Sequence, residues 1–95
     1  MAETMVGLFA TSKAGHDKDE VYVIVSEECE YVFLCDGRLK KISNPKKKKK
    51  KHIQIISHQT DEKLQSKLVN KEAVLDEEIK FAIKGYKKAS QGALG

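Results

Sequence analysis

The chain predicts a mainly β domain: five short strands in one strongly curved sheet that closes on itself, followed by a C-terminal two-helix appendage. Three observations carry that reading. Apolar, β-branched and aromatic stretches recur through the first 58 residues, with Gly-, Asp- and charge-rich connections between them. Past Ser57 the strand signals stop and apolar residues fall at helical spacing. Strands never alternate with helices, so a parallel sheet is not expected. The division is 1–58 for the closed sheet and 59–95 for the helical extension, which ends in a disordered tail from Ser90 to Gly95.

Val6 to Thr11 is the first predicted strand. The loop after it holds Gly15, where positive φ or a close backbone approach calls for glycine. Val21–Val25, β-branched and aromatic, is the clearest strand of the chain, and Tyr31–Cys35 is the third. Asp36-Gly37 has the composition of a tight turn between antiparallel strands. Arg38 to Ile42 then alternates, offering Leu39 and Ile42 to a core and its basic residues to solvent, and is expected as the fourth strand. His52–Ile56 is the fifth. Several strands are apolar on both faces, which in so small a domain fits a sheet that curls and closes. Thr60 is placed to cap a helix through Leu68, with Leu64 and Leu68 on one face. A second helix is expected over about Leu75–Ala89, with Leu75, Ile79, Ala82, Ile83 and Tyr86 as its apolar stripe. Asp76, Glu77 and Glu78 open it and Lys84, Lys87 and Lys88 close it, as the helix dipole favours. Gly85 inside it costs about 1 kcal/mol relative to alanine.

Charge is unevenly distributed. The 95 residues carry a net +4. Between Asp36 and His52 lie Arg38, Lys40, Lys41 and six consecutive lysines, Lys46 to Lys51, against the single carboxylate of Asp36, so this stretch holds +8 and the remainder −4. Six adjacent like charges repel and require solvent or a polyanion. Pro45 closes the run on one side and a strand closes it on the other, so it is expected as a loop pinned at the rim of the sheet rather than a free tail. A basic block on an acidic body points to a positioned polyanion site.

Other function classes find little support. No stretch reaches the ~20 apolar residues of a membrane span. The N-terminus lacks the features of a signal peptide, and a cytoplasmic location is expected. No amphipathic helix adjoins the lysine run and no lipidation motif is present, so a membrane partner is not expected. Cys29 and Cys35 on extended chain stand roughly 20 Å apart, beyond the ~7 Å that a disulfide spans. Free thiols are expected. The spacings of Cys29, Cys35, His52 and His58 fit zinc poorly, so no metal or other cofactor is expected. No serine or cysteine has an evident base partner and no glycine loop could cradle a phosphate, so neither a catalytic residue nor a small-molecule substrate is assigned.

Gly7 to Lys18 followed by Val21–Val25 resembles the KOW motif: a strand, a loop with a glycine and a second hydrophobic strand. Asp36-Gly37-Arg38-Leu39-Lys40-Lys41-Ile42, then Asn44-Pro45-Lys46-Lys47-Lys48 and Lys51-His52-Ile53, is similar to the small bacterial KOW-domain proteins, which are related to large-subunit ribosomal proteins of the archaeal and eukaryotic type. His16 stands where members often carry arginine. The resemblance covers roughly Val6 to Ile56. It implies an SH3-like barrel of the kind found in translation proteins, and RNA binding.

Together these features make the chain an expected non-catalytic RNA-binding protein, associated with the ribosome or with another structured RNA. Lys46, Lys47, Lys48, Lys49, Lys50 and Lys51, with His52, are the main candidate phosphate contacts, because each lysine offers a point charge without base specificity. Arg38 can add bidentate contacts, with Lys40 and Lys41 beside it. Ser12, Lys13, Gly15 and His16 form the loop of the motif, where backbone N–H groups could meet phosphates and His16 could stack on a base. Tyr22, Tyr31 and Phe33 are read as core rather than as stacking platforms. If all six lysines neutralised phosphates, log affinity would fall with log salt at a slope of about −4 to −5. The alternative is a protein-interaction barrel of the transcription-elongation or translation-factor type, with ribosomal or transcription proteins as partners.

Overall fold

The structure, a computed structural model, describes residues 4–13, 20–57 and 62–92. It is mainly β, with one antiparallel sheet of five strands: β1 (Phe9–Ser12), β2 (Tyr22–Glu28), β3 (Tyr31–Cys35), β4 (Lys46–Lys49) and β5 (Ile53–Ser57). Two helices follow, α1 (Glu62–Val69) and α2 (Asp76–Gly92). The spatial order is β4-β3-β2-β1-β5, so β4 and β5 are the two edges. A single 3₁₀ turn, Lys50–His52, is all that joins them.

That short link sets the shape of the sheet. In a flat sheet the two edges would stand four strand spacings apart, roughly 19 Å. Three residues of 3₁₀ helix rise only about 6 Å. The sheet therefore has to curl until β4 approaches β1 and β5. Two interruptions of register help it do so, between Phe9 and Ala10 on β1 and between Ile24 and Ser26 on β2, since bulges sharpen local twist. No ladder joins β4 to β5 among the described residues, so the sheet is curled but remains open.

Each face of the sheet carries its own apolar cluster. The concave side gathers Ala10, Tyr22, Ile24, Val32, Leu34 and Ile53. The other gathers Phe9, Val23 and Cys35, and the helices cover it with Leu64, Ile79, Ala82 and Ile83. Phe9 and Tyr86 stack at 4.9 Å between ring centroids. Two glycines let the helices come close. Gly7, at φ +90°, leaves room for the Gln65 side chain of α1, which a Cβ there would meet at 2.6 Å. Gly37, at φ +79°, abuts the Asp76 carbonyl of α2, and a Cβ would lie 2.7 Å from the Cγ of Lys80. Lys67 of α1 pairs with Glu78 of α2 at 2.6 Å. The other carboxylate oxygen of Glu78 accepts the backbone N–H of Leu75, 2.8 Å away, as in a helix-opening capping box.

The fourth strand differs from expectation. Arg38–Ile42 does not form a strand, although its alternation suggested one. The Asp36 carboxylate accepts the N–H groups of Arg38 and Lys40 at 2.8 and 2.9 Å. The Lys40 carbonyl in turn accepts from Asp36 and Gly37. The segment folds on itself, and its backbone donors are no longer available to a ladder. Ile42 then donates its N–H to the Asp76 side chain, at 2.8 Å. The lysine run, expected as a loop, supplies the fourth strand and the 3₁₀ turn instead. His52 falls in that turn, outside β5. α2 continues through Ser90 to Gly92, residues expected to be disordered. Thr60 and His58 lie outside the described residues.

Beyond its chain neighbours and the backbone of its own helix, a Cβ at Gly85 would meet nothing within 4 Å. Gly85→Ala is expected to stabilise the domain by about 0.5–1 kcal/mol, read as a higher midpoint in thermal unfolding. Gly37→Ala is expected to destabilise it by more than that, because positive φ and contact with the α2 backbone both oppose a side chain there.

Candidate nucleic-acid interface

The six lysines alternate along the edge of the sheet. Lys46, Lys48 and Lys50 are half-buried, whereas Lys47, Lys49 and Lys51 are exposed. Strand geometry accounts for the first four, since successive side chains point to opposite faces. β4 pairs with β3 so that Lys46 and Lys48 stand opposite Leu34 and Val32, while Lys47 and Lys49 stand opposite Phe33 and Tyr31.

The half-buried set is held by the body of the protein. Lys46 lies over the Tyr22 ring, with Nζ 5.9 Å from its centroid. Lys48 reaches across the concave face from β4 to β1, where Nζ donates to the Ser12 hydroxyl at 2.9 Å. Both side chains lay aliphatic stems along apolar surface and carry their ammonium groups to a polar or aromatic partner. Lys50 pairs with Glu27 at 2.9 Å. The interruption at Val25 makes this pairing possible. It puts Glu27 opposite Val32, on the same face as Lys48. Glu27 also accepts from the Thr4 hydroxyl and the Met5 N–H, each at 2.9 Å. The hydrogen bond from Lys50, joined by the one from Met5, holds the Glu27 carboxyl below the usual glutamate range.

The outward set differs. Lys47 spans two half-buried rings, with Nζ 4.4 Å from the Tyr31 centroid and 6.0 Å from that of Phe33. Each such contact is worth about 0.5–1 kcal/mol at an exposed site. Lys49, Lys50 and Lys51 border a shallow depression with Cys29 and Glu30. Same-face lysines on a strand are roughly 7 Å apart, where two charges repel by about 0.6 kcal/mol in water. A strand therefore keeps the like charges of each face apart.

The other candidates are dispersed. Ser12 is buried at 2% exposure, so its side chain serves Lys48 and does not reach an external ligand. Lys13 is exposed and donates its backbone N–H to His52. Gly15 and His16 lie outside the described residues. Arg38 and Lys41 are exposed and Lys40 half-buried, in the folded segment between β3 and β4. Tyr22 is core, as expected, whereas Tyr31 and Phe33 are only half-buried and underlie Lys47. Sequence reasoning missed the roles of Glu27 and Tyr31; the period of two within the lysine run, measured against Tyr31–Cys35, was the available signal.

Neither cysteine is bonded, Cys29 being exposed and Cys35 buried. Burial pushes the Cys35 thiol up to about 12, helped by the nearby charges of Asp76 and Asp36, so it is protonated at neutral pH and a poor nucleophile. Among the described residues no group of three His, Cys, Asp or Glu side chains could hold a metal, and no helix is long and apolar enough to cross a membrane. No protein-family model matches the chain, and no curated protein matches its sequence.

The Glu27 contacts make a pH prediction. A carboxyl held below its ordinary value stabilises the fold above that value, 4.5, and loses the contribution as pH falls through the lower folded value. Glu27→Gln is therefore expected to lower stability at pH 7 by up to about 1 kcal/mol, the range for a partly exposed pair. The gap to the parent should shrink as pH drops below 4.5, as read from denaturant midpoints across pH.

Proposed function

We propose that the chain is a non-catalytic RNA-binding module associated with the ribosome or another structured RNA. Lys47, Lys49 and Lys51 hold the RNA backbone, and Lys46, Lys48 and Lys50 fix the strand that presents them. The observation that carries this reading is the strict alternation of exposed and half-buried lysines over Lys46–Lys51. A solvated linker has no reason to divide its charges in this way. Lysine ammonium groups are mobile point charges, suited to phosphates and to RNA shape more than to base identity.

The resemblance to KOW-domain proteins adds support. Strand order β4-β3-β2-β1-β5, with one 3₁₀ turn between the last two strands, is compatible with an SH3-like barrel, and we read the curled sheet in that sense. Arg38, Lys41 and Lys13, all exposed, are assigned peripheral phosphate contacts. The second reading is a protein-interaction barrel of the transcription-elongation or translation-factor type. One observation favours it: an open cleft of about 590 Å³ whose apolar lining includes Val25, Phe33, Ile42, Pro45 and Leu68. Capture of the same protein partner before and after nuclease treatment would favour this second reading.

Binding to structured RNA at increasing salt separates the two lysine sets. The three phosphates held by β4 and its turn contribute about −2 to −3 to the slope of log affinity against log salt. The triple change of Lys47, Lys49 and Lys51 to Ser is expected to remove that contribution and to cost stability only through the Lys47 ring contacts, about 1 kcal/mol. The triple change of Lys46, Lys48 and Lys50 to Ser should lower the unfolding midpoint further. Unchanged RNA affinity in the first variant would contradict the proposal.

A further inference from the structure

A second basic strip lies on α2. Lys80, Lys84 and Lys87 follow at helical spacing and line one side of a groove of about 320 Å³. Arg38 stands on the other side. Four cations thus face a groove that holds two carboxylates, Glu20 and Asp36. Asp36 is partly committed, since one of its oxygens accepts the N–H groups of Arg38 and Lys40.

The juxtaposition is built into the packing. Gly37 sits so close to α2 that a Cβ would strike the stem of Lys80 at 2.7 Å, and Arg38 is the next residue. The Asp36 turn fixes the backbone of Arg38, and the Ile42–Asp76 hydrogen bond ties the far end of the same segment to the start of α2. The two basic strips also share one side of the sheet. Lys47 and Lys49 pair with Phe33 and Tyr31. Period two puts Cys35 on the face of those two rings, and α2 packs on Cys35 through Ile79 and Ile83. The molecule is at most 38 Å across.

We propose that this groove is a second phosphate-binding strip, and that RNA held on β4 continues across the same face of the sheet onto α2 and Arg38. The inference rests on the RNA-binding reading above. Lys80 to Lys87 spans about 10 Å of helix axis, enough for about three phosphates of a duplex strand. Arg38 adds the bidentate geometry that the lysines lack.

The test compares two RNAs, a single strand of about six nucleotides and a duplex of about 16 base pairs. Wild-type protein is set against the triple change of Lys80, Lys84 and Lys87 to Ser. The variant is expected to bind the duplex about tenfold more weakly at moderate salt, with a slope shallower by about 2–3. Its affinity for the short strand should match the wild type. Equal duplex affinity and slope in the two proteins would overturn the second strip while leaving β4 as the site. An equal loss on both RNAs would overturn the two-strip arrangement. Failure of the wild type to bind either RNA would remove the RNA reading itself. A second measurement needs no variant: acetylation of Lys80, Lys84 and Lys87 in the wild type should be suppressed by the duplex and not by the short strand. Equal acetylation under both conditions would overturn the inference.

Discussion

The three-residue turn Lys50–His52 ties opposite edges of one sheet together, and the position of every lysine in the run depends on it. A link so short leaves the sheet no choice but to curl. Curling carries β4 over the concave face, where Lys48 can reach Ser12 on a strand that would stand roughly 14 Å away in a flat sheet. Once Lys46 and Lys48 are committed inward, strand periodicity commits Lys47 and Lys49 outward. The division of charges is thus a consequence of backbone geometry and chain connectivity.

The inward lysines serve a purpose that a hydrophobic residue would not. They rim the concave cluster without closing it and bring their ammonium groups to Tyr22, Ser12 and Glu27. They also mark β4 as an edge that resists pairing with a further strand, since lysines along an edge oppose edge-to-edge association. The same residues therefore protect the sheet and orient the site. Glu27 shows how finely this depends on register. Without the extra residue at Val25 it would fall on the outer face, away from Lys50.

Much of the fold was legible in the residues. Val21–Val25 and Tyr31–Cys35 are β-branched or aromatic and became β2 and β3, the second with identical bounds. Ile79, Ala82, Ile83 and Tyr86 showed the face of α2 that meets the sheet, whereas Leu75, read into the same stripe, is exposed just before the helix. The lysine strand was not legible, because lysine is depleted in strands and like-charge repulsion argues for a loop. Its pairing with Tyr31–Leu34 is a tertiary effect that overrides local preference. Arg38–Ile42 failed in the opposite direction. Leu39 and Ile42 suggested a strand, but they lie three residues apart and cannot share one face, Leu39 is exposed, and the Asp36 side chain captures the N–H groups of Arg38 and Lys40. The strip on α2 was hidden for a similar reason: Lys84 and Lys87 were explained by the helix dipole, and only the packing of Gly37 brings Arg38 beside them.

The claim on which the account stands is that the lysine run is an ordered strand and turn with two chemically different sides. Site-resolved acetylation of the six ε-amines, read by mass spectrometry with and without structured RNA, tests it directly. The account predicts fast modification of Lys47, Lys49 and Lys51 in the free protein, suppressed by RNA. Modification of Lys46, Lys48 and Lys50 should be slow in both states. Six amines that react at one common rate, and gain protection together, would contradict it.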